Sequence, residues 1–287
     1  MSENKPKYGF TDEDLKVVST VYDKTILKGK RVLVSGAGSG IGKAIAALFA
    51  RLGADLIICG RKQEKLDSAK VLFESLGAKV LTYSVNIRDT DQVETMMDSV
   101  WEAWGGIDIL VNNAGGQFPM PAIDIPVKGW NAVIDNNLNG TWFMMQNAAK
   151  RWRDHQQPGN IINIVIVIDR GAVGVAHTCA ARAGIIYMSK SMAVEWAEYN
   201  IRVNCVAPGA IESNGFNHYP EEGVKTFYEC NPMLDVGDAN DIAQAVVYFA
   251  ADSGKFVTGE LINVDGGGRL WGDMWTTGTP DYFSLKD

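Results

Sequence analysis

A glycine-rich stretch, SGAGSGIG at residues 35–42, separates a β-branched run from a helical run. The preceding RVLVSG is typical of a buried strand, and the following IGKAIAALFARLGA has helical periodicity. Glycines in such a turn let backbone amides approach a pyrophosphate at the positive end of the helix. The alternative is a tight turn that binds no ligand. The residues predicted to contact a dinucleotide here are Gly36, Ser39, Gly40, Ile41 and Gly42.

From residue 30 onward the chain alternates apolar runs with helical runs, without an internal repeat or a linker. Seven apolar runs predict seven strands, and strands that are apolar throughout indicate a parallel sheet covered by helices on both faces. We therefore expect an α/β fold with a single domain at residues 29–270. Residues 1–28 are expected to form an N-terminal arm with a short helix capped by Thr11.

Two aromatic segments follow the sixth predicted strand. Residues 212–238 form a long insertion after the carboxyl end of that strand, which favours a substrate lid; the alternative is a helical pair packed on the core. Residues 271–287 form an aromatic C-terminal tail with two Trp, a Tyr and a Phe. We expect this tail to cover a neighbouring subunit or the mouth of a substrate site.

The charge balance and the cysteines exclude several classes of protein. The net charge of −7 and the absence of a basic run argue against nucleic-acid partners, and no apolar run reaches membrane-spanning length. None of the four cysteines has the spacing of a zinc ligand or a disulfide framework, so no metal is expected. Reduced thiols are typical of a cytoplasmic protein.

Four further motifs, in order along the chain, resemble those of the short-chain dehydrogenase/reductase family: NNAG at 112–115, NNLNGT at 136–141, APG at 207–209 and DGGG at 265–268. The resemblance covers residues 28–270 and is strongest to the branch with peroxisomal trans-2-enoyl-CoA reductase and 2,4-dienoyl-CoA reductase. It implies an oxidoreductase with a Rossmann fold, in a homotetramer or homodimer. It adds these cofactor-binding residues: Asn86, Asn113, Ala114, Gly115, Arg182, Pro208, Gly209 and Ile211.

The end of the second predicted strand, IICGRK, bears on the choice of cofactor. NAD-specific folds place a carboxylate there, which accepts hydrogen bonds from the ribose 2′-hydroxyl. Here the position holds Gly60, followed by Arg61 and Lys62. A guanidinium beside a glycine suits a 2′-phosphate, so NADP(H) is preferred and NAD(H) is the alternative. Both cations could instead solvate the start of a helix.

The family's catalytic residues are Asn, Ser, Tyr and Lys, and the resemblance matches only the first of them, at Asn137. The Ser position falls around Val165 and Ile166, which carry no hydroxyl. The Tyr and Lys positions hold Thr178 and Arg182. These two lie four residues apart on one helix face, whereas Tyr187 lies on the opposite face, where a packing role is expected.

An aliphatic hydroxyl is a weak acid and a guanidinium does not shuttle protons, so ketone reduction would suffer from these replacements. Reduction of a C=C bond conjugated to a thioester would suffer less, because its enolate needs oriented donors. We therefore predict an NADP(H)-dependent reductase of an α,β-unsaturated acyl-CoA or a related small enoyl substrate. The alternatives are a hydroxyl or keto dehydrogenase of an acyl thioester or ring alcohol, and a non-catalytic dinucleotide-binding subunit. The predicted catalytic residues are Asn137, His177, Thr178 and Arg182, with Gln117 as a further donor.

The sequence also leaves open the roles of His177 and of the pair Asp169 and Arg170. His177 could be a buried histidine without a catalytic role. Asp169 and Arg170, after the fifth predicted strand, could belong to the site or form an internal salt bridge.

Overall fold

A computed structural model of the protein describes residues 8–219 and 221–270. The predicted aromatic tail at residues 271–287 lies outside the described residues. Within them, one sheet has seven parallel strands in the order β3-β2-β1-β4-β5-β6-β9, and two short strands, β7 and β8, pair separately. The strands are Arg31–Ser35 (β1), Asp55–Gly60 (β2), Val80–Ser84 (β3), Ile109–Asn112 (β4), Gly159–Ile164 (β5), Ile201–Pro208 (β6), Ile211–Glu212 (β7), Gly237–Asp238 (β8) and Leu261–Val264 (β9).

Helices cover both faces of the large sheet. Phe49 is fully buried in the core cluster beneath one layer, formed by α2, α3 and α9, and Trp152 is fully buried beneath the layer that contains α4, α6 and α7. The α-helices are Asp12–Val17 (α1), Gly40–Arg51 (α2), Gln63–Ser75 (α3), Thr90–Trp104 (α4), Val127–Ile134 (α5), Gly140–Asp154 (α6), Ala176–Glu195 (α7), Glu221–Lys225 (α8) and Ala239–Ala250 (α9). The predicted single-domain Rossmann fold is therefore confirmed.

The strand order places a crevice at the carboxyl edge of the sheet. Strands β2 and β3 lie on one side of β1, and β4 lies on its other side, so the order of the strands reverses between β1 and β4. In open parallel sheets, ligands bind in the crevice outside such a switch point. The glycine-rich turn that follows β1 lies at this crevice.

Residues 8–28, here called the N-terminal segment, pack against the domain. Thr11 caps α1 through a reciprocal hydrogen-bond pair with Asp14, as the sequence predicts. Leu27 is fully buried in the core. The Tyr22 hydroxyl donates to the carbonyl of Gln244 on α9 at 3.0 Å. The segment therefore belongs to the same packed unit as α9.

The insertion at residues 212–238 is held by a chain of aromatic rings. Phe216 is buried and contacts Tyr8 of the N-terminal segment edge-on at 5.5 Å between ring centroids, and Phe227 at 5.0 Å. Tyr219 contacts Phe227 in the same manner at 5.3 Å. We call Tyr8, Phe216, Tyr219 and Phe227 the aromatic cluster. It fixes the insertion to the start of the chain.

Candidate active site

The glycine-rich turn requires its glycines for steric reasons. Gly36 and Gly40 have φ angles of 70° and 56°, which side-chain-bearing residues rarely adopt. A Cβ atom on Gly42 would lie 2.3 Å from the Nδ2 atom of Asn113. That amide donates to the carbonyls of Ser35 and Gly36. The NNAG motif therefore holds the turn in place by side-chain and backbone contact.

A cavity of about 260 Å³ lies beside this turn. Seven of the predicted cofactor-binding residues line it: Gly36, Ser39, Arg61, Asn86, Asn113, Ala114 and Gly115. The other seven do not: Gly40, Ile41, Gly42, Arg182, Pro208, Gly209 and Ile211. Ile41 packs against the core, and Ile211 is buried in β7. The structure thus brings together the part of the predicted site formed by the residues that follow β1, β2, β3 and β4.

Three cations, Arg61, Lys62 and Lys65, line the same cavity. Lys65 is absent from the sequence-based prediction, although it lies three residues after Lys62. The first turn of α3 returns Lys65 to the glycine-rich turn, where its Cβ atom lies 3.0 Å from the Cβ position of Gly38. The side chain of Asn86, which also lines the cavity, accepts a hydrogen bond from the Nε atom of Arg88 at 3.2 Å. The cavity is therefore positively charged, which suits a phosphorylated ligand.

Arg182 is a buried cation that forms no ion pair with the residues that the structure describes. It is 6% exposed, and its Nε and Nη1 atoms have no hydrogen-bond partner among the described residues. Burial lowers the pKa of Arg182 to about 10, so it stays charged at neutral pH. Burial also raises the pKa of the neighbouring Cys205 thiol to about 11, so that thiol supplies no negative charge. An unpaired buried charge is costly, which indicates that a ligand completes its environment.

Helix α7 begins at Ala176 and presents His177 and Thr178 in its first turn. His177 is fully buried, and its Nδ1 atom accepts a hydrogen bond from the backbone N–H of Thr178 at 2.8 Å. Because Nδ1 accepts, a neutral ring carries its proton on Nε2. That Nε2 atom is buried and has no partner within the described part of the chain. His177 therefore carries a buried N–H donor that no described residue uses.

Asn137 lies in a π-helical turn, Asp135–Asn139, between α5 and α6. Its Oδ1 atom accepts from the backbone N–H of Gly116 at 3.0 Å, and its Nδ2 atom donates to the carbonyl of the same residue at 2.9 Å. Such turns are common at functional sites. Both ends of the amide thus position the loop after β4. The sequence matches Asn137 to the family motif but gives no sign of this clamp.

The loop at residues 115–118 joins these groups. A Cβ atom on Gly115 would lie 2.1 Å from the Nη2 atom of Arg182, so the guanidinium rests against that glycine. Each of the four loop residues contacts a different group through its own backbone or side chain. Gly115 contacts Arg182, and the backbone N–H of Gly116 bonds to Asn137. Gln117 bonds to Tyr219, and Phe118 contacts His177.

The structure also bears on the expectations for Arg170, Val165 and Tyr187. Arg170 donates to the carbonyl of Gly268, and none of the ion pairs among the described residues joins it to the neighbouring Asp169. Val165, at the family's Ser position, is buried in an apolar cluster. The prediction that Tyr187 is a packing residue is wrong for the single chain, because its side chain is 74% exposed. The helical period predicts which face of α7 carries Tyr187, but it does not predict whether other residues cover that face.

A glycine-rich turn at the switch point of a parallel sheet, next to a basic cavity, defines a dinucleotide-binding protein. A family model described as "Enoyl-(Acyl carrier protein) reductase" matches residues 36–268. The chain belongs to the short-chain dehydrogenase/reductase family of oxidoreductases, as the sequence predicts. Membership implies a nicotinamide dinucleotide cofactor and a small-molecule substrate.

Several relatives match over most of their length. A probable 2,4-dienoyl-CoA reductase of Bacillus subtilis is 35% identical over 84% of this chain and 97% of that protein. The 3-oxoacyl-acyl-carrier-protein reductase FabG of Thermotoga maritima is 38% identical over 84% and 98%. A short chain dehydrogenase of Bacillus anthracis has a crystal structure that matches with a TM-score of 0.80 and 39% identity, over 85% of this chain and 98% of that chain. The prediction of a likeness to dienoyl-CoA reductases is confirmed.

Across residues 8–219 and 221–270, none of the helices is both long and apolar enough to cross a bilayer.

Proposed function

We propose that the protein is an NADP(H)-dependent reductase of α,β-unsaturated acyl-CoA thioesters or closely related enoyl compounds. The observation that carries this proposal is the pair of residues in the first half of α7. That half of the helix holds a buried guanidinium at Arg182 and a hydroxyl at Thr178, where the family's ketone reductases have Lys and Tyr. Two nitrogens of this guanidinium have no hydrogen-bond partner in the described part of the chain. The names of the dienoyl-CoA reductase relatives support the same reaction class.

The residues present fit the cofactor that the family implies. The glycine-rich turn offers backbone amides at the start of α2 for the pyrophosphate, and a side chain at Gly36 or Gly42 would collide with Asn113. Arg61 is the residue we assign to the 2′-phosphate, with Lys65 beside it. Arg182 is assigned to the nicotinamide ribose hydroxyls, because its buried donors need acceptors. When bound, the reduced nicotinamide supplies a hydride.

The thioester oxygen needs hydrogen-bond donors as charge develops on it. Thr178 offers its hydroxyl, and His177 offers the Nε2 proton that its hydrogen bond with the Thr178 amide fixes. Donors already oriented in a water-poor site stabilise an enolate without reorganisation. Asn137 acts through the loop at residues 115–118, which it clamps, and so is a positioning residue.

A specific relative favours a second candidate function, the reduction of a β-keto thioester. The FabG protein of Thermotoga maritima is 38% identical to this chain. Against it, the place where the family orients a carbonyl with Ser falls around Val165 and Ile166, which carry no hydroxyl, and Val165 is buried. A third candidate, a dinucleotide-binding subunit without catalysis, leaves the buried donors of α7 unexplained.

One assay separates these functions. NADPH oxidation is followed at 340 nm with crotonyl-CoA, a 2,4-dienoyl-CoA, acetoacetyl-CoA and a panel of simple ketones and alcohols. We expect turnover with the enoyl or dienoyl thioesters and much less with the keto compounds. Turnover confined to acetoacetyl-CoA would favour the second function. NADPH binding with no turnover of any compound would favour the third.

We also propose that the protein is a cytoplasmic homotetramer or homodimer, with the insertion at residues 212–238 serving as a substrate lid. Large apolar side chains exposed on α5 and α7, such as Trp130, Tyr187 and Val194, support an interface between subunits. Light scattering of the purified protein tests the mass, and a monomer would contradict the assembly.

A further inference from the structure

The proposed reaction still lacks a source for the proton that reaches the substrate. No phenol stands in the first half of α7, and Tyr187 on that helix is exposed on its far face. The structure assigns this task to Tyr219: we propose that its hydroxyl donates the proton that completes reduction of the substrate. The proposal deepens the function above and rests on it.

Tyr219 reaches the site through one hydrogen bond. The Nε2 atom of Gln117 donates to the Tyr219 hydroxyl oxygen at 3.0 Å, although the two residues are 102 positions apart in the chain. Because the amide donates, the phenol oxygen acts as an acceptor there. Its own O–H proton is left for another acceptor. A bound substrate can be that acceptor.

The loop at residues 115–118 places that phenol beside the other groups. Gly115 contacts the guanidinium of Arg182, and Phe118 contacts the ring of His177 edge-on at 4.6 Å between ring centroids. Gln117 lies between these two contacts in the chain. The hydrogen bond from Gln117 therefore ties Tyr219 to the same four-residue loop that contacts the cation assigned to the cofactor ribose and a donor assigned to the thioester.

The aromatic cluster fixes the position of Tyr219 in the absence of substrate. Its ring contacts Phe227, which contacts the buried Phe216. Phe216 in turn contacts Tyr8 of the N-terminal segment. A donor whose ring is already held by packing loses little freedom when a substrate binds. This arrangement suits a residue that acts on the substrate.

The proton balance is simple. The substrate gains the cofactor's hydride at its β-carbon, and the C=C electron pair moves toward the thioester as an enolate. The Tyr219 O–H bond then breaks, a C–H bond forms at the α-carbon, and the phenolate takes a proton from water. The net result is one hydride and one proton added across the double bond.

The first test removes the hydroxyl. We expect Tyr219→Phe to lower kcat by about 10²-fold or more, the usual contribution of a general acid, and to leave the Kd of NADPH unchanged. Tyr228→Phe is the matched control, because it loses a hydroxyl from the same insertion, one that bonds to Glu212 instead. The decrease in kcat for Tyr228→Phe should be much smaller than for Tyr219→Phe. Equal losses in the two variants would reduce Tyr219 to a lid contact and overturn the proposal.

The second test distinguishes a Tyr219 hydroxyl that donates a proton from one that only holds the insertion in place. Replacing Tyr219 by difluorotyrosine keeps the ring and makes its hydroxyl more acidic. The reduction needs the protonated phenol, so its rate should begin to fall at a lower pH than in the unmodified protein. The same replacement at Tyr228 should not move the profile. An unmoved profile at position 219 would overturn the proposal.

The outcomes also separate the two levels of the argument. If the protein reduces only keto compounds, the enoyl function fails, and the same variants are measured with the keto substrate. Tyr219→Phe and the pH profile then decide the proton donor for that reaction. If no compound is reduced, both the proposed function and the role of Tyr219 are overturned.

Discussion

The guanidinium of Arg182 occupies the space where a side chain at Gly115 would begin, with Nη2 2.1 Å from the position of a Cβ atom. The position of the guanidinium on α7 therefore depends on the absence of a side chain at this glycine of the NNAG motif. The glycine admits the guanidinium, and the guanidinium lies against the loop that lines the cofactor cavity.

Gly115→Ala is expected to displace Arg182 and to cut turnover by up to ~10²-fold, because a shift of about 1 Å at a reacting site has that effect. The Kd of NADPH, measured by fluorescence titration, should rise as well. Gly116→Ala is the control, since the nearest atom to its Cβ position is 4.0 Å away. Similar effects in both variants would show that the contact with Arg182 is unimportant.

Arg182→Met is expected to stabilise the cofactor-free protein by about 1–3 kcal/mol, because an apolar side chain replaces a buried charge that has no counterion among the described residues. The same change should abolish tight NADPH binding. Free energies of unfolding come from urea titration. A loss of stability would indicate that Arg182 has a partner in the cofactor-free protein.

The matched control is Arg202, whose side chain donates to the carbonyls of Phe249, Gly254 and Val257. Arg202→Met should destabilise the protein by about 2–4 kcal/mol, because it leaves those carbonyls without their donor.

Arg61→Asp should weaken NADPH binding by roughly 10- to 100-fold and leave NADH binding nearly unchanged, since charge-assisted hydrogen bonds to a phosphate have that strength. Isothermal titration with both cofactors measures the two Kd values. Arg88→Asp makes the same charge change at a residue that does not line the cavity, and it should alter the ratio little. Equal affinity of the unmodified protein for NADH and NADPH would refute the assignment.

Thr178→Val keeps the shape of the side chain and removes its hydroxyl. We expect kcat with an enoyl thioester to fall by up to ~10²-fold, as for loss of one oxyanion donor, and the Kd of NADPH to stay constant. Thr178→Ser should restore most of the turnover. If valine and serine behave alike, the hydroxyl takes no part in the reaction.

Local patterns were sufficient to predict the scaffold. The strands and helices follow apolar periodicity, the helix α4 ends at Gly105 in the left-handed conformation, and Thr11 caps α1. Each of these depends on residues within a few positions of one another, so the sequence displays them directly. The cavity beside the glycine-rich turn follows from the same patterns, because parallel strands end at one edge.

The cleft itself depends on contacts that no local pattern displays. The bond between Gln117 and Tyr219 joins a loop to an insertion with no periodicity, and neither residue type is unusual for its position. The pairing of Asn137 with the Gly116 backbone and the fit of Arg182 against Gly115 are likewise set by tertiary packing. The sequence identifies Asn137 and Arg182 as candidates, but not what they touch.

The N-terminal segment has a consequence for the order of events during synthesis. The backbone N–H of Gly9 bonds to Glu212, 203 positions later, and Tyr22 bonds to Gln244, 222 positions later. Residues of the N-terminal segment therefore wait for partners that are synthesised more than 200 positions later, and contacts of such long range form slowly. The insertion that carries Tyr219 can be completed only when it packs against the N-terminal segment.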